Sequence, residues 1–235
     1  MLRIATIIIK HMSHMAYFNL LARWQILRYG KFSQEKRYQY MSNWGQKVLA
    51  SAGIKVDYKG KFPDQPGIVV ANHVGFLDIP MLLHICPLSF VLKAELKRWP
   101  ILGTASRLSS YIFIKRDQPN SREYAAQQIA KKVLEEKERV LVFPSGTTGL
   151  AGTKPWRQGC FKIAQREGLP IYPVRLTFDP PESATFVGND LFFPKLIQLL
   201  RSPPRYVGVE VFPAEKISDA AADCARIQSL CEGTV

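Results

Sequence analysis

Acidic side chains are scarce in this sequence: 19 Asp and Glu stand against 32 Lys and Arg in 235 residues, a formal net charge of +13. That imbalance turns the protein toward anionic partners, whether nucleic acid, anionic lipid or a phosphorylated small molecule. Cysteine is sparse too. Cys86, Cys160, Cys224 and Cys231 show neither Cys-x-x-Cys spacing nor a His/Cys ligand cluster, so neither a metal nor a disulfide framework is expected. Long apolar runs are missing. The stretch Ile4 to Ile9 is interrupted by Lys10 and His11, far short of the roughly 18 apolar residues a spanning helix needs. No small-residue cleavage site follows it, so no secretory signal is expected. A Walker loop is absent, because Gly152-Thr153-Lys154-Pro155 has the wrong order, and so is the Gly-x-Ser-x-Gly elbow of serine hydrolases. Neither an internal repeat nor a low-complexity tract is apparent.

What is present suits a folded domain: 47% hydrophobic and 22% charged residues in a chain long enough for one sizeable core. Residues 1–52 read as two helices broken at Gly30, with Ile7, Ile8, Met12, Met15, Phe18, Leu21, Ala22 and Ile26 recurring near helical spacing. Residues 1–60 hold ten Lys and Arg against Glu35 and Asp57, a surplus of +8. Tyr17, Phe18, Trp24 and Tyr29 lie among those basic residues. Aromatic and apolar side chains mixed with cations suit the headgroup region of a bilayer, so the segment reads as an amphipathic, membrane-docking helix pair. A core helix pair with a solvated basic face is the competing reading. Because the charge lies beside apolar helices and not on an aromatic-studded sheet or a recognition helix, no nucleic-acid partner is expected.

From Lys55 onward short apolar runs alternate with helical patterns. Gly67–Ala71, Phe90–Leu92, Tyr111–Ile114, Val140–Phe143, Ile171–Phe178 and Tyr206–Phe212 read as strands. Asn120 with Glu123 forms a capping-box-like start to a helix carrying Ala125, Ile129 and Val133, which ends in the charged run Glu135–Arg139; shorter helices fit near 157–167 and 194–201. Such alternation predicts an α/β fold, a mixed and largely parallel sheet flanked by helices, for residues 53–235.

The chemistry-bearing residues begin where the first of these strands ends. Asn72-His73-Val74-Gly75-Phe76-Leu77-Asp78 passes from strand end through a glycine-containing turn into a probable helix start, the place where open α/β sheets expose functional groups. A histidine there can take a proton from a hydroxyl, and a carboxylate can hold its opposite ring nitrogen and stabilise the imidazolium that forms. Taken alone, His-x4-Asp arises by accident in roughly a fifth of chains of this composition. His11, His14 and His84 read as helix-face or packing residues, since none has a carboxylate in comparable strand-end context. Lys115 and Arg116 at a later strand end offer cationic donors, arginine with a planar fork suited to phosphate; a solvated strand end beside Asp117 is the plain alternative. The loop Pro144–Gly152 carries three glycines whose amides can approach an anion closely, or simply turn the chain.

Four segments in order carry a resemblance. Asn72-His73 through Asp78, Phe113-Ile114-Lys115-Arg116, Phe143-Pro144-Ser145-Gly146-Thr147 and Ile171-Tyr172-Pro173-Val174 resemble the four blocks of the glycerolipid (1-acyl-sn-glycerol-3-phosphate) acyltransferase family. Val91-Leu92-Lys93-Ala94-Glu95-Leu96 also fits that family's Lys-x-Glu-Leu stretch. The resemblance implies an O-acyltransferase in phospholipid biosynthesis, with His73 and Asp78 catalytic and Lys93 near the oxyanion or donor. It implies that Lys115 and Arg116 bind the acceptor phosphate and that Ser145, Gly146 and Thr147 form an acceptor loop. No cofactor is implied beyond the co-substrate, acyl-CoA or acyl carrier protein. The implied acceptor is 1-acylglycerol-3-phosphate, giving phosphatidic acid; another lysolipid, such as lyso-ornithine lipid or a lysophospholipid, is the alternative. The implied location is peripheral or monotopic, at an anionic membrane surface on the cytoplasmic face of the inner or cell membrane. Three positions depart from the pattern. Ser145 stands where the third block has glutamate, Thr148 where arginine usually follows, and Ser110 where the second block often begins with glycine. A serine hydrolase using Ser145 is a further, lower-ranked reading.

Overall fold

The most apolar strand fixes the architecture. In the computed structural model, which describes residues 2–30, 32–98, 111–115, 120–186 and 190–233, Gly67–Ala71 forms β2 and is buried at every position. A strand buried on both faces belongs in the middle of a sheet with helices on each side. The others are β1 (Asp57–Lys59), β3 (Ser89–Lys93), β4 (Ile112–Ile114), β5 (Arg139–Val142), β6 (Ile171–Asp179) and β7 (Tyr206–Val211). They form one sheet in the order β1-β7-β6-β2-β5-β3-β4. Strands β6, β2, β5, β3 and β4 run parallel. β7 is antiparallel to β6 and parallel to β1. The sheet is therefore mixed and largely parallel, as its sequence pattern predicts.

The described residues also form seven α-helices, α1 (Leu2–Tyr29), α2 (Gln34–Ser51), α3 (Asp78–Ile85), α4 (Ser121–Leu134), α5 (Gly159–Glu167), α6 (Phe192–Arg201) and α7 (Ala220–Glu232), and two short 3-10 helices, Ala94–Arg98 and Pro181–Ser183. Alternation along β2 sorts the core into two halves. Ile68 and Val70 pack with Ile129 and Val133 of α4, Phe161 of α5 and Ile227 of α7. Val69 and Ala71 pack with Met41 and Leu49 of α2 and Leu82 of α3. The polar edge strand β1 and the helix α7 were not expected from sequence. The capping box is corrected: Asn120 already has helical backbone angles, φ −74° and ψ −7°, and its side chain caps nothing. A side-chain cap needs an extended residue at that position.

The first two helices play different parts. α2 lies so close to α3 that a Cβ on Gly45 would stand 2.4 Å from the Pro80 carbonyl oxygen. Its Met41 and Leu49 are buried in the main core, each worth about 1.5–3 kcal/mol. α1 also buries a stripe, Met15, Phe18 and Ala22, and the Phe18 ring lies 4.5 Å from that of Tyr40 and 5.4 Å from that of Phe32. Its opposite face is apolar too. Ile9, Leu20, Trp24 and Leu27 fall on it at helical spacing, and Leu27 is 89% exposed. Lys10, Arg23 and Arg28 are exposed on the same helix. Among the described residues no helix is long and apolar enough to cross a membrane.

At the edge where the parallel strands begin, α2 is tied down by charge. Glu138, just before β5, accepts through Oε1 from Arg37 Nη2 at 2.5 Å and Gln34 Nε2 at 3.0 Å. Through Oε2 it accepts from Lys132 Nζ at 3.2 Å and from the Ser89 hydroxyl. The Glu138 side chain is 2% exposed. Burial alone would push its carboxyl up, but the charge of Arg37, the hydrogen bonds from Ser89 and Arg37 and the charge of Lys132 outweigh burial and hold it below the ordinary carboxylate range. Arg37 is thus committed to a buried ion pair and is not among the cations that α2 offers to an anionic surface.

Candidate active site

At the opposite edge β2 ends at Ala71, and the carboxamide of the following residue, Asn72, grips the neighbouring strand twice. Nδ2 donates to the Leu176 carbonyl at 2.8 Å and Oδ1 accepts from the Leu176 amide at 2.7 Å. The chain therefore leaves the sheet at a fixed point, and His73 is the next residue. Gly75 lets the following turn fold in tightly, since a Cβ there would lie 2.1 Å from the Ala184 carbonyl oxygen. Asp78 opens α3 and is fully buried. Its Oδ2 accepts from His73 Nδ1 at 2.7 Å, the Val74 amide at 2.7 Å and the Gly75 amide at 3.0 Å. Asp78 Oδ1 is buried with no hydrogen-bond partner among the described residues.

The imidazole is held in one further way. The Phe143 ring stacks on it, centroids 3.8 Å apart and planes 10° from parallel, and its side chain remains 19% exposed. A carboxylate accepts and does not donate, which assigns the proton to Nδ1 and leaves the Nε2 lone pair free for a substrate proton. A buried carboxylate orienting a partly exposed imidazole is an arrangement that can support general-base chemistry.

The loop after β5 forms one wall of a cleft lined by Asn72, His73, Ser145, Thr147, Lys154 and Glu232, among others. Gly149 donates its amide to the His73 carbonyl at 2.9 Å, and Gly146 donates to the Phe143 carbonyl at 3.0 Å. The Ser145 hydroxyl donates to the Thr147 carbonyl at 2.9 Å and not to His73. A serine nucleophile needs its hydroxyl on the base, so the site does not have the form of a serine hydrolase.

Strand register places the lysines. Lys93 pairs with Ile114, so Lys115 lies one residue beyond it at the same edge of the sheet as His73. β3 and β4 are the second and third strands from β2, about 10 and 14 Å away at ordinary strand spacing. Both lysines are exposed, and neither lines the His73 cleft. They form a cationic rim beside it, near Lys97, whose Nζ lies 4.6 Å over the Phe113 ring. Arg116 and Ser110 lie outside the described residues. The other histidines serve the helix pair and its neighbours. His11 Nε2 meets Ser51 Oγ at 3.1 Å, His14 stacks on Tyr40, and His84 lies 6.2 Å from the Tyr58 ring. Burial, followed by the charges of Lys10 and Lys47, holds His11 below the usual imidazole value; burial, Lys47 and His11 do the same for His14. Three residues of the site are not singled out by the sequence. Phe143 and Asn72 lie inside the motif segments; Glu232, far along the chain, has no local signal.

Comparisons with known proteins converge on this region. An acyltransferase family model matches residues 53–177. The chain is 31% identical over 189 residues to the lyso-ornithine lipid O-acyltransferase of Pseudomonas aeruginosa, covering 78% of this chain and 72% of that one. It is 29% identical over 147 residues to the 1-acyl-sn-glycerol-3-phosphate acyltransferase of Neisseria meningitidis serogroup B, covering 61% and 57%. Its fold matches the crystal structure of the 1-acyl-sn-glycerophosphate acyltransferase from Thermotoga maritima with a TM-score of 0.63 and 19% identity, over 97% of this chain and 95% of the other.

Proposed function

This chain belongs to the glycerolipid O-acyltransferase family, and from that premise we propose that His73 and Asp78 transfer a fatty acyl group from a thioester to the free hydroxyl of a lysolipid. The carrying observation is the buried Asp78 holding Nδ1 of His73 at 2.7 Å. His73 Nε2 removes the proton from the acceptor hydroxyl, and that oxygen attacks the thioester carbonyl carbon. The tetrahedral oxyanion then collapses, the C–S bond breaks, and the leaving thiolate takes the proton back from the imidazolium. Asp78 keeps the ring oriented and stabilises its positive form throughout. No acyl-enzyme is needed, because the acceptor is itself the nucleophile. The donor is acyl-CoA or an acylated carrier protein.

The acceptor we favour is 1-acylglycerol-3-phosphate, giving phosphatidic acid, with Lys115 and Arg116 as donors to its phosphate and Ser145, Gly146 and Thr147 as the acceptor loop. Lys93, on the same rim, supports the donor or the developing oxyanion. A second reading, acylation of lyso-ornithine lipid, is favoured by the Pseudomonas relative. Purified protein incubated with labelled acyl-CoA or acyl carrier protein and a panel of lysolipids, with products identified by mass, separates the two. Absence of any acylated product would sink both.

The outward stripe of α1, with Lys10, Arg23 and Arg28 beside it, supports a seat in the interface of an anionic bilayer. There the apolar side chains enter the acyl boundary and the cations meet headgroups. On that basis we place the enzyme at the cytoplasmic face of the inner or cell membrane, where both thioester donors are made.

A further inference from the structure

The cleft wall opposite His73 is not self-supporting. The loop from Ser145 to Trp156 is joined at its inner end to the catalytic segment through the Gly149 amide and the His73 carbonyl. Its outer end is held by two residues of α7 one helical turn apart. Glu232 accepts through Oε2 from the Gly152 amide at 2.8 Å and through Oε1 from the Trp156 indole at 3.0 Å. Gln228 accepts from the Trp156 amide at 2.9 Å and donates to the Lys154 carbonyl at 2.9 Å. Gln228 Nε2 also reaches Glu232 Oε2 at 3.1 Å, locking the two side chains together. Trp156 is buried in the core with Phe161 and Cys224, so the far end of the loop is anchored by packing as well as by hydrogen bonds.

We propose that Gln228 and Glu232 are positioning residues: together they clasp the 145–156 loop against the His73 segment and set the width of the cleft that receives the acceptor. The inference rests on the reading of this loop as the acceptor wall. Physically, the clasp converts the irregular backbone between Leu150 and Trp156 into a fixed strut. Charge-assisted bonds from a backbone amide and an indole to a carboxylate are stronger than neutral ones, and the i,i+4 spacing of Gln228 and Glu232 presents both side chains on one face of α7. Loosening the outer end frees Gly149, and with it the register of Thr147 and Ser145 beside the imidazole. Neither α7 residue touches the reacting atoms.

The test pairs hydrogen exchange with kinetics on the full chain, comparing wild type with Glu232→Ala, Gln228→Ala and the conservative Glu232→Gln. Glu232→Ala is expected to speed exchange at Gly152 and, through the loop, at Gly149, while leaving the β5 amides Val140 and Leu141 unchanged. The same variant is expected to raise the KM for the acceptor about tenfold, the effect of one or two lost charge-assisted bonds. kcat should fall by less and the KM for the acyl donor should stay put; Glu232→Gln should recover much of the loss. Gly152 loosening with Gly149 protection intact would overturn the proposal, and so would a freed loop with an unchanged acceptor KM. If the β5 amides loosen too, Gln228→Ala, which leaves the carboxylate in place, decides by the same readouts. A wild-type protein that acylates no lysolipid would defeat the acyl-transfer reading, and the exchange data would still decide the clasp.

Discussion

Two buried carboxylates sit at opposite edges of one sheet and are treated in opposite ways. Glu138, where the parallel strands begin, is answered on both oxygens by Arg37, Gln34, Lys132 and Ser89. Asp78, where they end, concentrates three donors on Oδ2, while Oδ1 has none among the described residues. The first is compensated by full positive charges. The second is compensated by two backbone amides and by an imidazole that becomes cationic only when it takes a proton. Compensation complete in the resting state makes a structural joint. Compensation that improves on protonation suits the general-base role proposed for His73.

Removing the proposed base tests that contrast most severely. His73→Ala is expected to lower turnover by about 10²–10⁴-fold while leaving the thermal midpoint within a few degrees, measured by acyl-transfer assay and calorimetry. Asp78→Asn should approach the same loss of kcat with acceptor binding kept; a silent variant would mean that Asp78 is only a second Glu138. Glu138→Ala should show the reverse pattern. It strands Arg37 and Lys132 in the core and is expected to cost about 3–5 kcal/mol of stability, read from denaturant unfolding, with activity per folded molecule retained. Because the folded Glu138 carboxyl lies below its unfolded value, its stabilisation is fully present above the unfolded carboxylate range and is lost as pH falls through the lower folded value. The acid limb of the stability profile should therefore flatten in the Glu138→Gln variant.

Smaller effects are expected where neither carboxylate is involved. Serine at Leu20, Trp24 and Leu27 together should weaken partition onto anionic vesicles about tenfold or more without destabilising the fold, since all three side chains point away from the core. Deleting α2 as well would remove Met41, Leu49 and the Arg37 joint, so the whole 1–52 segment cannot be excised as a tail. Ser145→Ala should change kcat by about twofold or less, having lost only a hydroxyl that donates to Thr147. A collapse of activity there would revive a nucleophilic serine.

Local pattern made much of this legible. The buried run at β2, the alternation of strands with helices, and the His73–Asp78 pair at a strand end all declare themselves within a few residues. Partnerships across the chain did not. Arg37 reads as one more exposed cation until Glu138, 101 positions away, is seen to bury it. Glu232 means nothing without a loop 80 residues earlier. β1 has three exposed residues and none of the apolar signal that marks a strand. Helix α7 has a capped start, Asp219 accepting from the Ala221 and Ala222 amides, but Ile227 and Leu230 are its only large apolar residues, too few to mark a helical stripe.

The two-sided apolar character of α1 also governs how the enzyme would meet its acceptor. Once its outer stripe is seated in a leaflet, the search for a lysolipid runs in two dimensions, and the relevant concentration is the mole fraction of acceptor in the surface. Diluting the bilayer with inert lipid at constant total acceptor should then slow catalysis, whereas diluting the suspension should not. A rate written per litre of solution would describe the wrong volume.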